Sequence, residues 1–273
     1  MQYKEVIFDI NPIEPWRDIL LAHLGELTYD SFMEEEKGLK AYILSEDFDT
    51  AVLEELCAGL DAQILFEVKD VQQQNWNAVW ESDFDPVRVG AACGIRADFH
   101  EPLGVEHEII ITPKMSFGTG HHATTFVMMQ QMLQIDFYDK RILDMGCGTA
   151  VLAILAEKLG ATETQGIDID EWAYNNALEN LQMNECNNIQ ITIGGTEKIK
   201  GVFDGILANI NRNILLNDMS QYSAALKTGG FILFSGFYTE DLIPIKQTAI
   251  DCGLGYIQHT TKDNWVAAQF VKR

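Results

Sequence analysis

Two glycines and an aspartate in the middle of this 273-residue chain have the types and spacing of a nucleotide-cofactor site. The stretch RILDMGCGTAVLAILAEKLG places Gly146 and Gly148 between a buried strand and an amphipathic helix. Such a turn lets a ligand approach the backbone at the carboxyl end of a parallel sheet. Asp168 lies 22 residues after Gly146, at the end of the next strand. There a carboxylate can accept both ribose hydroxyls of an adenosine group, whereas the competing Asp170 suits a helix N-cap.

Asp144 indicates which adenosine cofactor the turn prefers. A dinucleotide fingerprint starting at Gly146 needs glycine at position 151, where Val151 stands. A pyrophosphate would also meet the carboxylate of Asp144 two residues before the first glycine, whereas the ammonium and sulfonium of S-adenosylmethionine favour a negative neighbour. We therefore expect S-adenosylmethionine, and an NAD-dependent oxidoreductase is the weakest alternative. A polar cap beside the helix is the structural alternative for Asp144.

The strand FDGILAN ends in Asn209, and Ile210 follows it. The side-chain carbonyl of Asn209 and nearby backbone carbonyls could hold an amine by its hydrogens and aim its lone pair at the cofactor methyl. Methyl transfer is an in-line displacement, so orientation supplies a large share of the rate. Asn209 and Ile210 are therefore candidate catalytic residues; Asn209 could also cap the following helix, and the two roles are compatible.

The segment SFGTGHHATT sets two histidines among glycine and threonine. Adjacent histidines point apart and no third ligand follows at helical spacing, so we expect no metal. A phosphate cradle lacks its lysine. We expect a loop that caps the following helix and covers the methionine end of the cofactor, with Phe117, Gly118, Thr119 and Thr125 as cofactor contacts. His122 shapes the pocket, takes up a substrate proton or is purely structural.

The order of elements predicts two domains. From residue 141 strands alternate with helices, which predicts a Rossmann-like, doubly wound, mostly parallel sheet, and the tail predicts an antiparallel edge hairpin. The first 70 residues read βαββαβ, the order of a ferredoxin-like α+β domain. The polar segment QQQNWNAVWESDFDP predicts a connecting helix. We expect a small domain at 1–70, a linker helix and connection at 71–90, and a cofactor domain at 91–273.

Composition excludes several classes of protein. Five cysteines without a CxxC pair predict neither a disulfide framework nor a zinc cluster. The sequence contains neither a long apolar run nor an N-terminal signal pattern, so we expect a cytosolic protein without membrane association. A net charge of −22 argues against direct nucleic-acid binding and favours a basic protein partner. Residues 1–70 hold 17 acidic and five basic residues, more than half of the excess, although ordinary solubility charge explains this equally well.

The sequence resembles the bacterial ribosomal protein L11 methyltransferases. The resemblance rests on SFGTGHHATT, LDMGCGTAVLAILAEKLGA, GIDID and LANI in order, with WNAVWESDFDPVRVG before them and NWVAAQFVK at the end. It implies an N-terminal domain that recognises ribosomal protein L11 and a C-terminal domain that uses S-adenosylmethionine to methylate lysine side chains, and in some members the α-amino group. It also implies cofactor contacts at Thr125, Gly146, Asp168 and Asn209. We expect a monomer.

The sequence departs from the family's pattern at three positions. Ala150 replaces the usual third glycine of the turn, Ala123 stands where relatives often carry proline or glutamate, and Asn211 makes the motif NIN instead of NIL. Two alternatives remain: a methyltransferase of a small-molecule amine, and a catalytically silent cofactor-binding module in ribosome assembly. The second predicts loss of Asp168 or Asn209, and both are present.

Overall fold

The computed structural model describes residues 3–29, 31–35, 37–71, 84–112, 114 and 117–273. The chain divides into two compact units, residues 1–80 and 81–273. The connecting helix predicted in QQQNWNAVWESDFDP falls mainly on residues 72–83, which lie outside the described residues.

The described residues of the first unit form a four-stranded antiparallel sheet with two helices, in the order β4-β1-β3-β2. Alternate residues of one strand, Val6, Phe8 and Ile10, are buried, as the period of two in a strand requires when one face packs against helices. The predicted βαββαβ order and ferredoxin-like sheet are confirmed. The elements are β1 (Tyr3–Asn11), α1 (Trp16–Glu26), β2 (Ser31–Glu35), β3 (Gly38–Leu44), α2 (Thr50–Gly59) and β4 (Gln63–Val71).

The second unit is built on a seven-stranded sheet in the order β10-β9-β8-β11-β12-β14-β13. Its helices and strands are β5 (Val87–Val89), β6 (Cys93–Arg96), β7 (His107–Ile110), α3 (Ala123–Met132), β8 (Arg141–Met145), α4 (Val151–Lys158), β9 (Glu163–Asp168), α5 (Glu171–Met183), β10 (Ile189–Ile193), β11 (Phe203–Asn209), α6 (Arg212–Ala225), β12 (Leu226–Tyr238), α7 (Leu242–Asp251), β13 (Leu254–Lys262) and β14 (Trp265–Lys272).

Strands β10, β9, β8, β11 and β12 pair in parallel, and β14 pairs antiparallel with both β12 and β13. The Rossmann-like sheet with an antiparallel edge hairpin is therefore confirmed. Neighbouring residues on one strand, such as Ile206 and Leu207, belong to different apolar clusters because side chains alternate between the two faces. One cluster covers the face packed with α3, α4 and α5, and the other covers the face packed with α6 and α7.

A smaller sheet of β5, β6 and β7 precedes the large one. Its buried residues Cys93, Ile95 and Ile109 join the same apolar cluster as α3 and α4. Among the described residues no helix combines the length and the apolar character that crossing a bilayer requires. No group of three potential metal-ligating His, Cys, Asp or Glu side chains is found in the described part of the chain either.

Candidate active site

The turn after β8 depends on glycine because another loop packs against it. Gly146 and Gly148 have φ angles of +69° and +53°, in the left-handed region that favours glycine. A Cβ on Gly148 would lie 2.3 Å from the carbonyl oxygen of Phe117, and a Cβ on Gly146 would lie 2.2 Å from the side chain of Ile210. The turn therefore lies against both the loop that contains Phe117 and the segment after β11 that contains Ile210, where the other candidate residues are found.

Ala150 also has a left-handed backbone, with φ of +63°, and is fully buried at the start of α4. Its small size fits the helix start, as the sequence suggests, but an L-residue in this conformation is strained by roughly 1 to 2 kcal/mol. Residue 150 therefore keeps a left-handed backbone conformation that favours glycine, although alanine stands at this position.

Asp168 connects the turn to the end of β9. Its Oδ2 accepts a hydrogen bond from the backbone N–H of Gly148 at 2.8 Å, and its Oδ1 accepts one from the N–H of Asp170 at 3.0 Å. Asp170 caps α5 by accepting from the N–H of Trp172 at 2.7 Å, as the sequence predicts. Asp168 thus holds the turn in place while its carboxylate lies at the carboxyl end of the sheet.

Asp144 is buried, with 1% of its surface exposed. Its Oδ2 accepts from the N–H of Ala153 at 3.1 Å, and its Oδ1 has no hydrogen-bond partner among the described residues. Burial, together with the nearby charge of Asp168, raises the pKa of Asp144 to about 7. The permanent negative charge assumed from the sequence is therefore reduced near neutral pH, although a cation close by would restore it.

The loop that begins at Phe117 is tied to the glycine turn through Thr149. The N–H of Thr149 donates to the carbonyl of Phe117 at 3.0 Å, and its hydroxyl donates to the carbonyl of Gly118 at 2.7 Å. The hydroxyl oxygen of Thr119 instead lies 3.3 Å from Nδ1 of His121. In the described residues no hydrogen bond joins Thr119 to the turn or to Asn209. Phe117 and Gly118 thus meet the turn, whereas the side chain of Thr119 contacts His121.

His122 is the N-cap of α3, so the helix begins one residue before the two threonines that the sequence places at its start. Its Nδ1 accepts from the N–H of Thr124 at 3.3 Å and lies 2.8 Å from the Thr124 hydroxyl. Because a backbone N–H donates to Nδ1, the neutral ring carries its proton on Nε2. Burial lowers the pKa of His122, which favours this neutral form.

Asn209 meets Thr125 where β11 ends. The side-chain nitrogen of Asn209 donates to the hydroxyl of the fully buried Thr125 at 3.4 Å. The other side-chain atom, Oδ1, is buried and has no partner among the described residues. A buried acceptor without a donor is costly unless a ligand supplies one, so this oxygen marks a binding position.

A cleft of about 280 Å³ opens beside Asn209. Four of its lining residues were predicted from the sequence as site residues. A fifth is Asn211, which departs from the family's pattern, and the other three were not predicted to belong to the site. Its lining consists of Phe117, His122, Thr124, Asn209, Ile210, Asn211, Gly236 and Trp265. The cleft and the glycine turn adjoin, because Ile210 lies against Gly146 and Phe117 lies against Gly148.

Two asparagines of α5, Asn176 and Asn180, and the C-cap residue Asn184 support this arrangement and were not selected from the sequence. Asn180 accepts from the N–H of Thr112 at 2.8 Å and donates to the carbonyl of Thr149 at 2.9 Å. Asn184 pairs with both the N–H and the carbonyl of Ile110, at 2.9 Å and 2.6 Å, and Asn176 donates to Thr112 at 3.4 Å. The three asparagines are spaced four residues apart, which places them on one face of a helix. This spacing could have indicated from the sequence that they act together.

Comparison with known proteins decides the family. The family model described as "Ribosomal protein L11 methyltransferase (PrmA)" matches residues 19–273. This chain belongs to the ribosomal protein L11 methyltransferase family. A ribosomal protein L11 methyltransferase from Phocaeicola vulgatus is 41% identical over 281 residues, covering 100% of both chains. One from Porphyromonas gingivalis is 44% identical over 269 residues, covering 94% of this chain and 91% of the relative.

A solved structure agrees with this membership. The crystal structure of ribosomal protein L11 methylase from Lactobacillus delbrueckii subsp. bulgaricus matches with a TM-score of 0.63 and 25% identity, covering 69% of this chain and 98% of that one. As a ribosomal protein L11 methyltransferase family member, the chain is a methyltransferase that depends on S-adenosylmethionine. The resemblance, the fold class and the cofactor predicted from the sequence are confirmed, and the NAD-dependent oxidoreductase is wrong.

The residues present fit this cofactor. Among the buried oxygens without a partner in the described residues, Oδ1 of Asp144 lies two residues before Gly146 and is an acceptor that suits a ligand carrying an ammonium and a sulfonium. The carboxylate of Asp168 already accepts two backbone N–H groups and keeps lone pairs for hydroxyls. The cofactor, when bound, supplies an electrophilic methyl group.

Proposed function

We propose that this protein transfers methyl groups from S-adenosylmethionine to amino groups of ribosomal protein L11, on lysine side chains and on the α-amino group. The observation that carries the proposal is the buried Oδ1 of Asn209, which has no hydrogen-bond partner among the described residues and lies at the side of a cleft next to the glycine turn. An amine N–H is the donor that this oxygen lacks. Family membership and the names of the relatives support ribosomal protein L11 as the source of that amine.

The chemistry requires the neutral amine, because an ammonium has no lone pair. With a reference pKa of about 10.4, neutralising a lysine at pH 7 costs roughly 4.6 kcal/mol, whereas an α-amino group near 7.7 to 8.0 costs about 1 to 1.4 kcal/mol. Of the described residues that line the cleft, none carries a carboxylate that would raise the pKa of the amine. Partial burial in this cleft therefore lowers the cost of the neutral nucleophile.

Asn209 orients the amine in this proposal. Oδ1 accepts an amine hydrogen while the bond from Nδ2 to Thr125 fixes the plane of the amide. Thr125 and Asn209 would hold the methionine end of the cofactor, which would supply its methyl group to the lone pair of the amine nitrogen and keep the electron pair of the carbon–sulfur bond on sulfur. The product ammonium loses a proton to water before another transfer. Ile210 closes the wall next to Gly146 and confines the amine at this position.

His122 serves as a wall and a helix cap in this proposal, and not as a general base. Its Nδ1 already accepts from Thr124, and its Nε2 carries the proton of the neutral ring. Neither nitrogen is then free to take a proton from the substrate without breaking the cap. Water is the proton acceptor that the cleft leaves available.

The remaining residues hold the cofactor. We assign the ribose hydroxyls to Asp168, the close backbone approach to Gly146 and Gly148, and the methionine end to Thr125 and Asn209. Phe117 and Gly118 cover the turn, in agreement with their bonds to Thr149. Asp144 supplies negative charge beneath the turn when the bound cation lowers its pKa, and Thr119 has the weakest support because its contact is to His121.

The acidic N-terminal unit is the proposed recognition domain for the basic ribosomal protein. Its 17 acidic and five basic residues over positions 1–70 complement a positive partner and steer its approach. The expected state is a monomer acting in the cytosol without direct contact to nucleic acid. Size-exclusion chromatography with light scattering tests the monomeric state, and a molar mass of two chains would contradict it.

A transfer assay tests the proposed function. The protein is incubated with S-adenosylmethionine carrying a labelled methyl group and either purified ribosomal protein L11 or a panel of free amines that includes lysine and small polyamines. Label on ribosomal protein L11 with little on the free amines supports the proposal. Preferential labelling of a free amine supports the small-molecule alternative, and cofactor binding without any transfer supports the silent module.

A further inference from the structure

Aromatic rings form a continuous row along one side of the cleft. The rings of Phe117 and His122 have centroids 5.1 Å apart, and those of His122 and Trp265 lie 4.9 Å apart in an edge-to-face arrangement. Tyr238 extends the row beyond Trp265 at 4.0 Å. Phe117, His122 and Trp265 line the cleft together with Asn209, so three rings of the row belong to the same cleft as the position proposed for the amine.

The row is held by the fold and not only by contacts between exposed rings. Trp265 and Tyr238 are register partners of the antiparallel pair β12–β14. His122 is fixed by its cap of α3, and the carbonyl of Phe117 is fixed by the N–H of Thr149. Three separate segments of the second unit thus bring aromatic rings to the lining of one cleft.

The chemistry of this wall suits a cation that keeps its charge when partly buried, as a trimethylammonium without an N–H does. Ring faces attract ammonium groups through their quadrupoles, most strongly for tryptophan. The described residues lining the cleft carry neither a carboxylate to form an ion pair nor a lysine or arginine to repel a positive charge. Burial lowers the pKa of His122 and favours its neutral form, which limits positive charge in this wall.

We propose that Phe117, His122 and Trp265 form a cation–π site for the methylated ammonium group of the product, with Trp265 as its principal contact. The site rests on the proposed amine N-methyltransferase function and adds a specificity determinant to it. An N-methylated ammonium has fewer hydrogens to donate to Asn209, so each methyl group added shifts recognition from that oxygen to the rings. The rings thereby hold an amine that has already been methylated at the same place as the unmodified one.

A comparison of two ligands of equal shape tests this site on the full-length protein. The ligands are N,N,N-trimethyllysine, blocked at both ends, and its neutral carbon isostere with a tert-butyl group in place of the trimethylammonium. Binding is followed by NMR titration of the protein carrying labelled tryptophan side chains, with S-adenosylhomocysteine present. We expect the cation to bind about fivefold more tightly, the ratio that corresponds to about 1 kcal/mol of cation–π attraction. Equal dissociation constants for the two ligands would overturn the proposal.

Substitutions at Trp265 locate the effect. Trp265→Phe keeps a π face and should keep a preference for the cation, whereas Trp265→Leu keeps only apolar volume and should bring the ratio close to one. Circular dichroism and thermal melting verify that both variants fold, and the comparison on the wild-type protein stands if one does not. A cation preference that survives unchanged in Trp265→Leu would overturn the assignment of Trp265.

The outcome can be separated from that of the proposed function. If ribosomal protein L11 is methylated and the two ligands bind equally, the ring site is wrong and the function stands. If the cation is preferred and ribosomal protein L11 gains no label, the ring site stands and the protein substrate is wrong.

Discussion

The side-chain nitrogen of Asn209 lies 3.4 Å from the hydroxyl oxygen of Thr125, which joins the end of β11 to the first turn of α3 across 84 positions of sequence. The bond uses an N–H of the amide and leaves its buried oxygen without a partner in the part of the chain that the structure describes. Orientation of the amine by that oxygen is the central element of the proposed mechanism.

Asn209→Ala should lower turnover much more than it lowers cofactor affinity. Removing one preorganised polar contact to a reacting group costs about 100-fold or more in turnover. We expect a loss of this order at saturating S-adenosylmethionine, with a cofactor dissociation constant changed several-fold at most. Asn217→Ala, at an exposed position of α6, is the matched control. Near-normal turnover in Asn209→Ala would show that the orienting role is wrong.

Thr125→Ala should weaken cofactor binding several-fold, because it removes the hydroxyl that positions Asn209 in a fully buried site. Thr125→Ser retains the hydroxyl and should stay close to the wild-type protein. Isothermal titration calorimetry with S-adenosylmethionine measures both variants. Unchanged binding by Thr125→Ala would remove this residue from the cofactor site.

Asp168→Asn should weaken S-adenosylmethionine binding by about tenfold to a hundredfold, since a hydrogen bond to a charged group contributes about 1.5 to 3 kcal/mol. The same change two residues later, Asp170→Asn, is the control, because asparagine caps a helix as well as aspartate does. Calorimetric titration of both variants distinguishes the ligand role from the capping role. A similar loss of affinity in the two variants would contradict the assignment of the ribose to Asp168.

Gly148→Ala should destabilise the protein and weaken cofactor binding, because its Cβ would lie 2.3 Å from the backbone of Phe117 and its φ is +53°. Gly90→Ala measures the cost of a positive φ alone, because Gly90 has φ of +63° and no atom lies within 4 Å of an added Cβ. We expect Gly90→Ala to cost about 1 kcal/mol of unfolding free energy and Gly148→Ala clearly more. Urea denaturation measures both, and equal costs would show that the approach of the loop is unimportant.

Asp144 should make stability depend on pH. Its folded pKa of about 7 lies above its ordinary value of 3.8, so between these values the folded chain keeps a proton that the unfolded chain has lost. The free energy of unfolding therefore falls as pH rises through this window, and the loss is complete above the folded pKa.

Asp144→Asn removes the titrating group and keeps an acceptor for the N–H of Ala153. Relative to the wild-type protein, the variant should be more stable at about pH 8 than at about pH 5. Urea denaturation at both pH values provides the comparison. A difference between variant and wild type that is the same at both pH values would contradict the raised pKa.

Local patterns were sufficient to predict much of the fold and part of the site. Gly146, Gly148 and Asp168 belong to one strand–turn–helix–strand unit, whose hydrophobic period and spacing can be read within about 25 residues. The edge hairpin was predictable because no helix separates its two strand patterns. The backbone strain at Ala150 was not predictable, because the presence of alanine in place of glycine does not indicate whether the φ angle at this position is positive.

Contacts across the sheet were beyond the local pattern. Trp265 and Gly236 reach the cleft because β14 pairs with β12 in one register, and register depends on the packing of the whole sheet. His122 was selected for possible chemistry, but its Nδ1 is used as a helix cap, a role that histidine rarely signals in sequence. Asn209 and Asp168 were predictable because each ends a strand of the parallel sheet, whereas Trp265 and Gly236 were not, because their place depends on the pairing of β12 with β14.

Mass spectrometry of ribosomal protein L11 tests the account most directly. Ribosomal protein L11 is isolated from cells that carry the intact gene, from cells that lack it, and from cells that carry the Asn209→Ala form. We predict that the protein from cells with the intact gene is heavier by one or more methyl groups on amino nitrogens, and that the other two sources yield a mass with these groups lost or strongly reduced. Identical masses from all three sources would contradict the account.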